Sequence, residues 1–350
     1  MISQSLFLAR PAGGRNPQYE RMIGFAREAL GLSDPVSMEV STIEGRGSDR
    51  TFFRLKWNPK DSAILIHYDP KRVENTFYAD IAAFLRNMNI PAPRLIRHDP
   101  TDCFIVMEDL GDTDLWFLRK TSWETRRALY QKTLTIVHRL HSFPEKDFPS
   151  GRVKLMAGFS PDLYLWERDY FRDHFVKDVC GIELEPSFDR ELEAELSGLA
   201  ERLVGTRRSL VHRDLQSQNV MIRDREPLLI DFQGMRLGSP FYDLGSLLCD
   251  PYVNFSADEQ EELLSFYYRL AKWDLDWATF QNTFWEASAQ RLMQALGAYG
   301  FLAFKKGLTA FLEHTPAGLR NLHCAASHVA SLPRLRELSA KCQRVIKQKE

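Results

Sequence analysis

The stretch LVHRDLQSQNVMIRDREPLLIDFQG, from Leu210 to Gly234, says most about how this chain folds. After HRDLQSQN it contains two short apolar runs, VMI and LLI, separated by the charged turn RDRE. Apolar runs of this length on either side of a short polar turn are typical of a β-hairpin. Because a hairpin returns the chain on itself, it brings Asp231, after the second run, beside Asn219, before the first. The pattern therefore predicts that Asp214, Asn219 and Asp231 lie close together.

The spacing of these three residues is typical of a phosphoryl-transfer site. Transfer of phosphate from ATP requires a carboxylate that orients the attacking hydroxyl, and metal ions that neutralise the phosphates. In the pattern H-R-D-L-x-x-x-N the Asp is the base and the Asn a metal ligand, which assigns these roles to Asp214 and Asn219. Asp231 adds a second hard oxygen ligand, as Mg²⁺ prefers. The alternative, that all three are ordinary turn residues, explains each residue singly but not their combined spacing.

The bulk composition excludes several classes of protein. With 44% hydrophobic and 27% charged residues, the 350-residue chain is typical of a globular protein large enough for two lobes. A formal net charge of -1 does not favour nucleic acid or an anionic membrane as a partner. No apolar run reaches the length of a membrane span, and no secretory signal is expected. The five cysteines lie far apart, which argues against a disulfide framework and predicts a cytoplasmic location.

Apolar periodicity changes character near residue 110. The first part, residues 1–109, contains two helical patterns and five strand-like runs, and the second part, residues 110–350, is mainly helical. We therefore predict an α+β fold with a small antiparallel N-terminal sheet and a larger helical C-terminal lobe. The expected strands are 36–43, 51–57, 62–68, 94–98 and 103–107, and the expected helices are 17–31, 74–88, 123–140, 161–179, 189–203, 258–271, 275–296, 319–331 and 334–347. Only the hairpin after Asn219 is expected to interrupt the second group of helices.

Three motifs, HRDLQSQN, LLIDFQG and PFYDLGSLLCDP, resemble the aminoglycoside phosphotransferase–choline kinase group, small-molecule relatives of protein kinases. The resemblance spans nearly the whole chain. Within that group, GSDRTFFRL, FIVMEDLGD and RLMQALGAYGFLAFKKG look most like bacterial cell-wall sugar kinases, which phosphorylate the anomeric hydroxyl of N-acetylmuramate and N-acetylglucosamine. The resemblance implies a two-lobed protein-kinase-like fold, ATP and Mg²⁺ as cofactors, and a small-molecule acceptor, an amino sugar. Aminoglycoside, choline and other small-alcohol kinases remain alternatives that share the core chemistry.

A protein substrate is disfavoured by the interval after the metal-binding Asp. Protein kinases carry an activation loop between that Asp and a downstream A-P-E. Here Asp243 comes only twelve positions after Asp231, and the interval contains no A-P-E.

The resemblance also implies two segments that bind the nucleotide. The turn GRGSDR would cover the phosphates, because small residues let backbone N–H groups approach closely. The linker after the fifth strand would offer backbone hydrogen bonds to adenine, although it could equally be a plain strand end. The residues concerned are Gly45, Gly47 and Ser48 in the turn, and Met107, Glu108 and Leu110 in the linker.

One expected residue is missing. Kinases place a lysine on the third strand, where it contacts the α- and β-phosphates, but SAILIHYDP contains none. Lys71 or Arg72 could supply the charge, with Asp80 or Glu74 as the acidic partner, unless both cations are solvated surface. The absence leaves a non-catalytic nucleotide-binding relative as an alternative from a different functional class.

Three further residues are assigned by the resemblance or by position. Asp243 would brace the catalytic loop, a role compatible with a carboxylate at a helix N-terminus. Arg213 would pair with Asp243 or another carboxylate, or with an acidic substrate. Arg291, among amide and aromatic side chains that suit an N-acetyl sugar, is a candidate for substrate contact, with a solvated helix arginine as the alternative.

Overall fold

The computed structural model describes residues 17–33, 36–43 and 50–349. The predicted phosphate-binding residues Gly45, Gly47 and Ser48 lie outside these ranges. The chain divides into two compact units, one of residues up to 111 with 151–154, the other of residues 112–150 and 155–350. The predicted roles of the two lobes, nucleotide binding before residue 110 and catalysis after it, stay predictions.

The smaller unit is built on a five-stranded sheet in which every pair of neighbouring strands is antiparallel, as predicted. The spatial order is first, second, third, fifth and fourth strand. The elements of this unit are α1 (Pro17–Leu30), β1 (Glu39–Ile43), β2 (Thr51–Lys56), β3 (Ser62–His67), α2 (Val73–Asn87), β4 (Leu95–Asp99) and β5 (Phe104–Glu108).

One face of this sheet packs against α1. Alternate residues of three adjacent strands point to that face, as the period of two in a strand requires. They form a buried core with Met22 and Ala26 of α1, and they are Phe53, Leu55, Ala63, Leu65, Phe104 and Val106. The side chain of Met107 on β5 points to the opposite face of the sheet from Phe104 and Val106. Its Sδ accepts a hydrogen bond from the Tyr78 hydroxyl of α2 at 3.2 Å. The helix α2 therefore covers the other face.

The larger unit is mainly helical, as predicted. Its helices are α3 (Trp123–His141), α4 (Pro161–Phe171), α5 (Pro186–Val204), α6 (Pro240–Leu248), α7 (Ala257–Ala271), α8 (Trp277–Lys306), α9 (Thr315–His328) and α10 (Pro333–Lys349). Side-chain caps fix several of their starts: Ser160 accepts from the Leu163 N–H at 3.2 Å, and Ser256 forms a capping box with Glu259. None of the described helices is long and apolar enough to cross a membrane.

The central helix α8 is longer than predicted. The sequence pattern suggested an end at residue 296, just before Gly297, but the helix continues to Lys306 and ends at Gly307, whose φ of 73° caps it. Gly297 and Gly300 do not end the helix. They lie where α8 approaches its neighbours so closely that a side chain would not fit. A Cβ on Gly300 would lie 2.0 Å from the His174 carbonyl oxygen, in the π-helical segment Arg172–Lys177 that follows α4.

Two small sheets lie among these helices. The hairpin of β7 (Val220–Arg223) and β8 (Glu226–Leu229) is present as predicted, with positive φ at both turn residues, Asp224 and Arg225. Such a turn matches the twist of a tight hairpin. The prediction that only this hairpin interrupts the helices is wrong. The three-residue strands β6 (Ser209–Val211) and β9 (Arg236–Gly238), too short to show a periodicity, pair with each other on either side of it.

Candidate active site

The loop between β6 and β7 is held by one buried carboxylate. Asp243 of α6 accepts hydrogen bonds from the backbone N–H groups of His212 at 2.7 Å and Arg213 at 2.8 Å. It also accepts from His141 Nε2 of α3 at 3.0 Å, and His141 Nδ1 in turn accepts from the Tyr267 hydroxyl at 2.7 Å. Hydrogen bonds to a charged acceptor contribute about 1.5–3 kcal/mol each. Asp243 thus joins the loop to two helices, the arrangement expected of a bracing residue.

Arg213 has an unusual backbone conformation. Its φ is +78°, in the left-handed region that a residue with a side chain adopts only at a cost of about 1–3 kcal/mol. The hydrogen bond from its N–H to Asp243 helps to hold the backbone there. Strain of this kind is concentrated at functional sites, and here it immediately precedes Asp214.

Asp214 is bound by two arginines. Arg213 Nη1 donates to its Oδ2, and Arg291 Nη2 donates to its Oδ1 at 3.4 Å. Burial raises the pKa of Asp214, but the positive charges of Arg213 and Arg291 outweigh burial and lower that pKa to about 2. The side chain is 25% exposed, so an acceptor can reach it. At neutral pH the carboxylate is therefore ionised, and it is a firmly placed hydrogen-bond acceptor and a weak base.

Asn219 and Asp231 meet as the hairpin predicts. The N–H of Ile230 donates to the Asn219 carbonyl oxygen at 3.0 Å, which places Asp231 directly after the paired position. The side-chain amide of Asn219 donates to the Asp214 carbonyl oxygen at 2.8 Å, and this bond directs the amide N–H group toward the loop. Asp231 has a φ of +61° and accepts from Gln233 Nε2 at 3.1 Å. An amide oxygen and a carboxylate on adjoining strand ends fit a small, hard cation such as Mg²⁺.

Arg291 is buried in α8 and is not the solvated helix arginine that the sequence left open. It is 6% exposed. Its Nε donates to Ser246 Oγ at 3.1 Å and its Nη1 to Gln294 Oε1 at 2.5 Å, in addition to the contact with Asp214. Asp214 is the carboxylate with which the Arg213 guanidinium pairs. Asp243, the other carboxylate considered, binds only the backbone N–H of Arg213.

Two functional candidates beside this site were missed from the sequence. Glu167 of α4 is 1% exposed, and its two oxygens accept from the Tyr242 hydroxyl at 2.8 Å and from Gln290 Nε2 at 3.0 Å. Arg236 of β9 is 7% exposed and lies over the ring of Phe159. The sequence offered one signal for Arg236, a charged residue in the apolar stretch between Asp231 and Asp243. Nothing in it showed which helices would surround that residue.

The predicted adenine linker consists of packed residues. Met107 and Leu110 are buried, and the Glu108 N–H donates to the Arg94 carbonyl oxygen at 3.0 Å. Their contact with a nucleotide stays a prediction.

The third strand supplies no cation. Residues 63–66 are buried and apolar. Arg72, a candidate substitute for the missing lysine, pairs with Glu74 at 2.8 Å, and its side chain is 51% exposed.

These features belong to a known class of protein. Residues 39–281 match the phosphotransferase enzyme family (APH), and the chain belongs to that family. It is accordingly an ATP-dependent phosphotransferase with a small-molecule acceptor, which confirms the expected enzyme class.

Among curated proteins, the chain is 24% identical to an N-acetylmuramate/N-acetylglucosamine kinase of Pseudomonas aeruginosa over 90% of its own length and 91% of the relative's. A Neisseria meningitidis protein of the same name is 23% identical over 81% of this chain and 84% of that one. Among solved structures, a choline/ethanolamine kinase family protein from Mesorhizobium loti has a TM-score of 0.60 at 16% identity, covering 92% of this chain and 99% of that one. A ternary complex of APH(2″)-IIa with streptomycin and ATP has a TM-score of 0.56 at 15% identity, covering 84% and 95%. The predicted protein-kinase-like fold is confirmed.

Proposed function

We propose that the protein transfers the γ-phosphoryl group of ATP to the anomeric hydroxyl of N-acetylmuramate or N-acetylglucosamine. The similarity to kinases of that name extends over most of the chain. The observation that carries the proposal is the setting of Asp214, an accessible carboxylate held by two arginines beside Asn219 and Asp231.

In the proposed reaction, Asp214 accepts a hydrogen bond from the attacking hydroxyl and later its proton. A low pKa suits this role, because the transition state of phosphoryl transfer is loose and positioning matters more than base strength. A positioned base contributes roughly 10²–10⁴-fold to the rate. Asn219 and Asp231 would hold Mg²⁺, which neutralises charge on the β- and γ-phosphates when bound.

The charges near Asp214 favour a sugar over the cationic acceptors of related enzymes. Arg213 and Arg291 contact Asp214 directly, and Arg236 is close enough for its pKa to be lowered by the charge of Arg213, after the larger effect of burial. A polycationic aminoglycoside or a quaternary ammonium would be repelled by these groups. The amide of Gln294 on α8, whose Oε1 accepts a hydrogen bond from Arg291, is a polar group of the kind that recognises an N-acetyl substituent.

We propose the cytoplasm as the place of this reaction. None of the five cysteines, all within the described ranges, forms a disulfide, and four of them are buried. Reduced thiols are usual in a reducing compartment.

An acceptor panel tests the proposal. ADP release would be measured with Mg²⁺ and ATP over N-acetylmuramate, N-acetylglucosamine, kanamycin, choline and homoserine, with Asp214→Asn as the blank. The expected result is turnover of the two N-acetyl sugars alone. The methyl glycoside of N-acetylglucosamine is the matched control, because it lacks only the free anomeric hydroxyl and should give no turnover. Turnover of kanamycin or choline in place of the sugars would overturn the acceptor assignment.

A further inference from the structure

Beside Asp214 lie three arginines, of which Arg236 and Arg291 are buried. Arg213 and Arg291 both pair with the Asp214 carboxylate, and Arg236 makes no ion pair with a described residue. A buried carboxylate nearby, Glu167, accepts hydrogen bonds from Tyr242 and Gln290 and attracts these arginines, but it makes no ion pair with a described residue. Burial raises the pKa of Glu167, which further weakens it as a counter-charge.

Arg236 is the least compensated of the three arginines. It is more than nine-tenths buried, and its one hydrogen bond within the described part of the chain runs from Nε to the Gly234 carbonyl oxygen at 3.1 Å. Its guanidinium carbon lies 5.2 Å from the centroid of the Phe159 ring, and the hydrogen bonds among the described residues use only Nε and neither Nη group. Burying a charge without a partner is costly, so the arrangement favours a bound anion.

Arg213 lies beside Arg236 and is also incompletely bonded. A Cβ built on Gly234 would contact Arg213 Cδ at 3.7 Å, while Arg236 binds the carbonyl of the same glycine. The Nε of Arg213 is buried and makes no hydrogen bond with any described residue. Arg213 and Arg236 thus both lie against Gly234, and their guanidinium groups carry donors of the kind that bind a carboxylate in a bidentate manner.

We propose that Arg236, together with Arg213, forms a subsite for a carboxylate on the acceptor, and so selects an acidic amino sugar over its neutral counterpart. The inference rests on the proposed function, since the carboxylate belongs to its acceptor. An acceptor hydroxyl bound to Asp214 lies close to Arg213, because Arg213 contacts the Asp214 carboxylate. Arg236 lies next to Arg213. The phosphate charge already has other proposed partners, Asn219 and Asp231 with Mg²⁺, which favours the acceptor as the source of the anion.

The test compares kcat/KM for N-acetylmuramate, which carries a carboxylate, with that for N-acetylglucosamine, which does not. In Arg236→Gln the ratio of the two values should fall roughly ten- to hundredfold, through a higher KM for the acidic sugar, as the loss of a charge-assisted hydrogen bond predicts. Arg208→Gln is the matched control: Arg208 is 55% exposed and paired with Glu145, and its replacement should leave the ratio unchanged.

A second measurement needs no variant and so does not depend on the folding of Arg236→Gln. The methyl ester of N-acetylmuramate keeps the shape of the acceptor but removes its charge, and the wild-type protein should use it about as poorly as Arg236→Gln uses the acid. Equal use of acid and ester, or an unchanged ratio in Arg236→Gln, would overturn the inference. If Arg236→Gln raised the KM for ATP and left the ratio of the two kcat/KM values unchanged, Arg236 would bind the phosphates of ATP, and the inference would again be overturned. Turnover of neither sugar by the wild type would instead overturn the proposed function itself, and this inference with it.

Discussion

At the scale of single residues, the charge on Asp214 depends on its two arginine neighbours. Because they lower its pKa to about 2, below the ordinary value of 3.8, the ionised form stabilises the fold above about pH 4. That contribution is lost as the pH falls from about 4 toward about 2. The acid limb of a pH profile of kcat/KM should therefore lie at the bottom of this window in the wild type.

Replacing Arg291 should move that limb. In Arg291→Gln one of the two positive charges is gone, so the pKa of Asp214 rises and kcat/KM begins to fall at a higher pH than in the wild type. The rate at neutral pH should also fall, by about tenfold or more, because one hydrogen bond that places the carboxylate is lost. Arg127→Gln, at a half-exposed ion pair with Glu262, serves as the control. Identical acid limbs in Arg291→Gln and the control would contradict the account.

The metal assignment makes a separate prediction. Asp231→Ala should reduce kcat/KM at least as much as Asp214→Asn, since a bound metal contributes several kcal/mol to charge stabilisation and a positioned base roughly 10²–10⁴-fold. Asp224→Asn, in the exposed hairpin turn, removes a nearby carboxylate and should have little effect. Mg²⁺-dependent turnover that survives in Asp231→Ala would show that the metal residue lies elsewhere.

The contacts of the site residues were predictable from the sequence where the residues lie close together along the chain. The contacts among Asp214, Asn219 and Asp231 are local, because one loop and one hairpin create them, and the pattern of apolar and turn residues was sufficient. The contacts of Asp214 with Arg291 and of Glu167 with Gln290 join α8 to other elements. The packing of the helices determines these contacts, and a single sequence does not show how its helices pack.

At the scale of elements, α8 is the helix around which the larger unit packs. Its small residues allow close approach, and the least tolerant position is Gly300. In Gly300→Ala the new Cβ meets a backbone oxygen, which cannot turn aside as a side chain could. Overpacking typically costs about 1–3 kcal/mol and occasionally more, so the midpoint of urea unfolding should fall clearly.

Gly24→Ala is the matched control for that substitution. Gly24 lies within α1, and a Cβ there would meet no atom within 4 Å. Alanine is the better helix former by about 0.5–1 kcal/mol, so this variant should be slightly more stable than the wild type. Equal stability changes in Gly300→Ala and Gly24→Ala would contradict the packing described for α8.

The same packing explains why some elements were predicted poorly. The glycines of α8 resemble helix-ending residues in sequence, and only the contact with His174 shows that they serve close approach. The expected helix 161–179 is an α-helix only to Phe171 and continues as a π-helix, Arg172–Lys177. The strands β6 and β9 are stable only because they pair with each other across the catalytic stretch.

At the scale of the whole molecule, ligand binding should be visible as stability. A ligand that binds only the folded protein stabilises it by about 2.7 kcal/mol at one hundred times its Kd. Thermal unfolding should therefore shift upward with the concentration of MgATP. Asp231→Ala should lose the part of the shift that requires Mg²⁺. An absence of any shift with ATP, with or without Mg²⁺, would contradict nucleotide binding.

The division into a sheet-based part and a helical part was predictable because the apolar period changes from two to about 3.6 near residue 110. The proposed acceptor site was less predictable, because it would combine side chains from α4, α6, α8 and β9. The missing lysine of β3 is a property of the sequence, and of its two predicted substitutes Arg72 is half-exposed and paired with Glu74.

Transfer of phosphate to the anomeric hydroxyl of an N-acetyl amino sugar is the proposed reaction, and locating the phosphate on the product tests it. The product formed from N-acetylmuramate or N-acetylglucosamine with ATP and Mg²⁺ would be examined by ³¹P NMR, with the Asp214→Asn reaction as reference. The expected product is a single phosphate ester whose phosphorus couples to the C1 proton, with none formed in the reference. A phosphate on any other carbon, or an equal signal from Asp214→Asn, would contradict it.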